Sequence, residues 1–185
     1  LVADAKINYI YEDVINRQAT GEANRAVSTL YRIPRNIDLA DARDFETLND
    51  DGTLTQNYWR PGSPSMQNPY WSIYRNLYDR LRNRVMGMVS LKYEFTPTLS
   101  LQYRTSLDYY ADQVEERNYN DTYWLLTPGK GNYVVGNEAS RLFINDLLLS
   151  YSTRFGDHWG LNLNAGAILE QYHSNGTRTN NNGLS

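Results

Sequence analysis

From residue 84 to residue 110 the chain alternates between apolar and polar positions. The odd positions from 85 to 95 are Val85, Gly87, Val89, Leu91, Tyr93 and Phe95. After Thr96-Pro97-Thr98 the odd row resumes with Leu99, Leu101, Tyr103, Thr105, Leu107 and Tyr109. The even row carries Ser90, Lys92, Glu94, Ser100, Gln102, Arg104, Ser106 and Asp108, with Met86 and Met88 at its start. A period of two is the mark of a strand with one apolar face, and a short turn between two such runs predicts a hairpin. Three further segments show the same habit. Residues 3–11 place Ala5, Ile7, Tyr9 and Tyr11 on one row. Residues 140–155 place Phe143, Leu147, Leu149, Tyr151 and Phe155 on odd positions, although their even row also holds Leu142, Ile144 and Leu148. Residues 160–172 set Leu161, Leu163, Ala165, Ala167 and Leu169 against Asn162, Asn164 and Glu170. The pattern therefore predicts strands near 3–11, 84–95, 99–112, 140–155 and 160–172.

The connections change the picture. The second and third strands, and the fourth and fifth, are predicted to pair through tight turns at 96–98 and 156–159. The other two links, near 14–82 and 114–138, are long, polar and rich in aromatic residues. A compact soluble domain has little use for a loop as long as the first. Outer-membrane barrels alternate tight turns with long extracellular loops on long strands. Aromatic residues gather at the strand ends: Tyr93 and Phe95, Phe155 and Trp159, Tyr109 and Tyr110. Val89, Leu149 and Ala165 occupy the middles, as in an apolar band between two girdles. On this reading Val85, Val89, Leu91, Leu101 and Leu107 face lipid, while Lys92, Gln102 and Arg104 face inward. The stretch up to residue 80 is expected to be mostly coil, with Trp59 and Trp71 near a rim. A half-solvated soluble sheet shows the same alternation, so a soluble all-β carbohydrate-binding module is the alternative.

Composition narrows the function classes. Tyrosine is abundant, 16 residues beside four tryptophans and four phenylalanines, which suits surfaces with one wet and one apolar side. A net charge of −3 argues against a nucleic-acid partner. The absence of cysteine excludes disulfides and cysteine-ligated metals. No apolar run approaches the ~20 residues of a transmembrane helix. The start, Leu1-Val2-Ala3-Asp4, has neither a signal peptide's features nor an initiator methionine, so a mature or internal piece is expected.

Candidate chemistry is sparse. The two histidines, His158 and His173, read as solvated residues, and no metal ligand set or cofactor motif is expected. Asn49-Asp50-Asp51-Gly52 resembles a calcium loop only superficially. Thr47 stands where such a loop needs its first Asp and Tyr58 where it needs its closing Glu, so a plain Asp-Gly turn is the reading. No catalytic acid–base group emerges, and an enzyme is not expected. Tyr58-Trp59 and Tyr70-Trp71 flank the Pro/Gly-rich RPGSPSMQNP. These four rings either pack a loop onto the rest of the protein or contact a substrate or partner.

The residues also carry a family resemblance. Asn68-Pro69-Tyr70-Trp71, the basic approach from Arg82 to Arg84, the run from Val85 to Gln102 and the closing Asp108-Tyr109-Tyr110 together resemble the central barrel of SusC/RagA-type TonB-dependent outer-membrane transporters. RIPRNIDL (32–39) and LLLSYSTRFGDHWGLNLNAGAILEQ (147–171) are similar to the same family. The resemblance implies an antiparallel transmembrane segment of a plugged barrel of about 22 strands. It implies a place in the bacterial outer membrane, energised import of glycans or peptides, and a SusD-like surface lipoprotein as partner. TonB would act through an N-terminal part, including the plug domain, that these residues do not contain.

Overall fold

The computed structural model describes residues 1–17, 26–58, 67–123, 131–156 and 158–183. The protein is all-β, with 68% of the described residues in strands, mostly antiparallel. The strands and helices in chain order are β1 (Val2–Val14), α1 (Ala26–Arg32), β2 (Glu46–Leu48), β3 (Leu54–Gln56), α2 (Pro69–Tyr74), β4 (Asn76–Thr96), β5 (Leu99–Asn118), β6 (Asn132–Phe155) and β7 (Trp159–Asn182). A short 3-10 turn covers Asp41–Arg43. The main sheet has five strands in the order β1-β4-β5-β6-β7. It is open among the described residues, with β1 and β7 as its edges. β2 and β3 form a separate antiparallel hairpin with Thr47 opposite Thr55.

The two hairpins predicted from alternation are present. β4 ends at Thr96 and β5 begins at Leu99, and Thr96 Oγ1 accepts the Leu99 N–H at 3.0 Å to lock the turn. Between β6 and β7 the chain reverses at Gly156, whose φ of +60° is costly for any residue with a Cβ. Gly166 is required for a different reason. A Cβ there would lie 3.0 Å from the carbonyl oxygen of Leu147 on β6.

Four strand ends lie well beyond the sequence-based expectation. β4 starts at Asn76 rather than 84, β5 and β6 extend through 118 and back to 132, and β7 runs to Asn182. Many of the added residues are polar: Asn76, Asp79, Arg80, Arg82 and Asn83 in β4, and His173 through Asn182 in β7. The apolar ones, such as Leu77 and Leu81 of β4 and Val134 of β6, are too few to make a sustained alternating row. In β4 the polar positions are held by ion pairs, such as Arg80 with Glu12 of β1 at 2.5 Å. The long loop expected over 14–82 therefore ends at Arg75, and its described residues hold two helices, a 3-10 turn and the β2–β3 hairpin; with β1 included, the described residues up to 80 are not mostly coil.

The helix α2 follows from local chemistry. Asn68 sits in an extended conformation, accepts the Tyr70 N–H at 2.9 Å, and is followed by Pro69 at the first helical position. An Asn cap with Pro next to it is a strong helix start. The Arg75 N–H closes the last turn on the Trp71 carbonyl at 2.8 Å.

The chain forms two compact units. Unit 1 holds Leu1–Tyr11, Arg82–Asp112 and Glu138–Gly176, and unit 2 holds Glu12–Leu81, Gln113–Asn137 and Thr177–Ser185. Their interiors differ in kind. The buried hydrophobic side chains among the described residues are Ala26, Ala42, Trp71 and Val134, all of unit 2. Among its described residues unit 1 buries Ser90, Asp112 and Ser140 but no hydrophobic side chain.

Candidate functional site

Unit 1 is a sheet with two chemically distinct faces. Cross-strand contacts between even positions make the first. Arg82 is bidentate on Asp112 at 2.6 and 2.5 Å, and Arg84 is bidentate on Asp108 at 2.8 and 2.5 Å. Arg104 Nε meets Asp146 at 2.7 Å, Gln102 donates to Ser90 at 3.0 Å, and Ser152 donates to Asn162 at 2.6 Å. The Arg82 guanidinium also lies 4.7 Å from the centre of the Tyr110 ring. Paired Arg–carboxylate forks of this type are directional and tolerate a wet, polar surface. The even row is not polar throughout, since Met86, Met88, Leu142, Ile144, Leu148 and Ile168 interrupt it.

The odd positions make the second face. Val89, Leu91, Tyr93 and Phe95 of β4 are 42–53% exposed, and Tyr103, Leu147, Leu149 and Leu163 on the other strands are also exposed. Polar groups on this face satisfy one another across strands. The Tyr9 hydroxyl donates to Asn83 Oδ1 at 2.6 Å, and the Tyr103 hydroxyl donates to Asn145 Oδ1 at 2.7 Å. Tyr93 and Phe95 meet edge to face at 4.9 Å. A large contiguous apolar surface on a lone protein marks a contact with lipid or with another protein. No protein element among the described residues covers this face.

Unit 2 holds the aromatic residues that the sequence singled out. Trp71 is fully buried and donates its Nε1–H to Thr122 Oγ1 at 3.0 Å, while its ring meets the edge of Tyr119 at 5.9 Å. Thr122 passes the bond on to Asn76 Oδ1 at 2.7 Å. Tyr70 stacks on Phe45 with ring centres 6.4 Å apart. Tyr58 is half-buried and donates to the Asp121 carbonyl at 3.3 Å. Burial, followed by repulsion from Asp121, pushes the Tyr58 phenol up to about 12. Trp59 lies outside the described residues. The structure thus brings Tyr58, Tyr70 and Trp71 into one packed region, with Trp71 as its centre and no exposed surface of its own.

Sequence reasoning missed the group that organises this region. Gln56 donates its N–H to Asp121 Oδ2 at 2.7 Å and its side-chain amide to the Asp121 carbonyl at 3.2 Å. Its Oε1 accepts the Asn68 N–H at 2.6 Å. Gln67 Oε1 accepts the Tyr123 N–H at 3.1 Å, and Asn68 Nδ2 donates to the carbonyls of Ala42 and Asn57 at 2.9 and 3.1 Å. Burial raises the Asp121 carboxyl above its ordinary value, against the opposing pull of the Gln56 N–H. These amides come from segments far apart in the chain, so no local spacing announces them. Among the described residues no group of carboxylates and histidines is placed to hold a metal ion. A search for known families found no match to this chain, and a search of curated proteins found none.

Proposed function

We propose that the chain is a barrel-wall and extracellular-loop segment of a TonB-dependent outer-membrane transporter of the SusC/RagA type. It would import glycans or peptides with a SusD-like lipoprotein, and its contribution is wall and rim rather than chemistry. The observation that carries this reading is the pair of faces on unit 1. The odd face is apolar and uncovered, while the even face of the same strands is laced by Arg–Asp pairs. Lipid outside and water inside is the environment that asks for such a pair of faces on one sheet. Two supports are independent of it. The connections alternate short and long, and the sheet is left with two long edges whose backbone groups need further strands. Among the described residues no helix is long and apolar enough to cross a membrane, which says nothing of crossing by strands.

The test is size-exclusion chromatography of the isolated chain with and without detergent. Five strands fall short of the roughly eight that the smallest membrane barrels close with. Detergent-free buffer should therefore give aggregates, and detergent should give a dispersed species. A monodisperse, cooperatively unfolding monomer without detergent overturns the proposal in favour of a soluble carbohydrate-binding module.

A further inference from the structure

We propose that the apolar face of unit 1 carries a site for an anionic lipid, whose acyl chain fills a hollow over Gly87 and whose phosphate sits on Arg141. The site rests on the membrane reading above and adds to it a lipid of defined charge at a defined place. The hollow has a volume of about 390 Å³. That is within the size range of small-ligand sites. Three features of its surroundings select the ligand.

The first is shape. Ala5 of β1, Gly87 of β4 and Thr105 of β5 line the hollow on three neighbouring strands, among the larger Ile7, Val89 and Phe143. All six belong to the odd rows of unit 1. Ile7 is 83% exposed and Val89 44%, so the hollow opens on the uncovered face. Gly87 sets its depth. The nearest atom to a Cβ built there is the Lys6 carbonyl oxygen at 4.0 Å, so a side chain at this position has room that the glycine leaves empty. An empty hollow forfeits the dispersion contacts of its lining, and a flexible hydrocarbon chain restores them.

The second is a hydroxyl without a counterpart. Thr105 Oγ1 is buried and makes no hydrogen bond. Buried hydroxyls are rarely left unmade without a reason. Hydrocarbon alone offers it no partner. The ester carbonyl at the head of an acyl chain accepts a hydrogen bond and meets the need.

The third is charge. Arg82, Arg84 and Arg104 of unit 1 each meet an aspartate on a neighbouring strand. Arg141 is exposed and has no acidic, aromatic or hydrogen-bonding partner among the described residues. It stands two residues from Phe143 on the same row of β6. The odd rows turn polar in this part of the sheet, since Asn83 comes next to Val85 on β4 and Gln171 next to Leu169 on β7. An arginine at the border of an apolar band reaches the lipid headgroups, where its cost is small. Its planar fork fits a phosphate with two N–H groups, and an unmatched cation favours a head with net negative charge.

The chain in nonionic detergent micelles is titrated with dioleoyl phosphatidylglycerol, with dioleoyl phosphatidylcholine and with inorganic phosphate, and bound lipid is read by native mass spectrometry. Phosphatidylglycerol should bind saturably, about tenfold or more tighter than phosphatidylcholine, and inorganic phosphate should not displace it. Arg141→Gln should erase the preference between the two lipids. Gly87→Leu fills the hollow and should weaken both by about tenfold or more. Arg154, also exposed and without a partner among the described residues, lies on the even row of β6. Arg154→Gln should leave the preference unchanged, and circular dichroism should show the strand signal retained in all three variants. Equal binding of the two lipids, displacement by phosphate, or indifference to Gly87→Leu overturns the proposal. So does an equal loss of preference in Arg154→Gln and Arg141→Gln, or a lipid-independent dimer that Gly87→Leu abolishes. A chain that requires detergent but binds both lipids alike loses this site and keeps the transport reading. A detergent-free monomer that still selects phosphatidylglycerol through Arg141 does the reverse.

Discussion

Val89→Arg should weaken partition of the chain into phospholipid vesicles by about 2–4 kcal/mol, roughly 30- to 1000-fold, and Gln102→Arg should change it by less than about tenfold. Both residues lie on the first long hairpin, on opposite rows. Val89 is 44% exposed on the odd row, amid Leu91 and Tyr93, where an added guanidinium would meet hydrocarbon. Gln102 is on the even row, donates to Ser90, and has the Arg104–Asp146 pair as a near neighbour in sequence. A further arginine there joins a surface already built from charges. The measurement is urea-dependent vesicle partition read by protease protection. Equal responses of the two variants would mean that the rows do not differ in environment.

Trp71→Ala should destabilise unit 2 by about 3–5 kcal/mol, the usual cost of emptying a large buried aromatic site. The cost should fall at the high end. Truncation removes the ring that Tyr119 packs against and also leaves Thr122 without the Nε1–H donor it accepts from at 3.0 Å. Trp71→Phe separates the two effects, because it keeps most of the volume and loses only the donor. That variant should cost about 1–3 kcal/mol. Hydrogen exchange reports both, with the segments around Gln56, Asn68 and Thr122 losing protection together, since their amides share one network. A change below about 1 kcal/mol in Trp71→Ala would show that the ring is peripheral to the unit.

What was legible in the sequence was whatever had a period. Strict alternation located both hairpins, and Pro97 and Gly156 marked their turns to within a residue or two. The polar extensions of β4 and β7 were invisible for a physical reason. A strand wet on both faces has no row of apolar residues to read, and ion pairs such as Arg80–Glu12 join residues remote in sequence. The helix α2 had a readable start in Asn68-Pro69, a cap followed by a fixed φ, but its six residues are too few for a helical pattern to announce it. Trp71 stood out in the sequence as a ring, and only the fold makes it an interior one. The amides Gln56, Gln67 and Asn68 were illegible because an amide becomes informative only when its partners are known.

The central claim is that the odd row meets lipid and the even row meets water. The chain has no cysteine, so single cysteines can be placed at Val89, Leu91 and Leu149, and at Lys92, Gln102 and Arg104, without interference. Each variant is assembled in vesicles, labelled with an environment-sensitive fluorophore, and exposed to a bilayer-confined nitroxide and to a water-soluble quencher. The account predicts that labels at 89, 91 and 149 are quenched by the nitroxide and labels at 92, 102 and 104 by the water-soluble reagent. Quenching of both rows alike by the water-soluble reagent would contradict it.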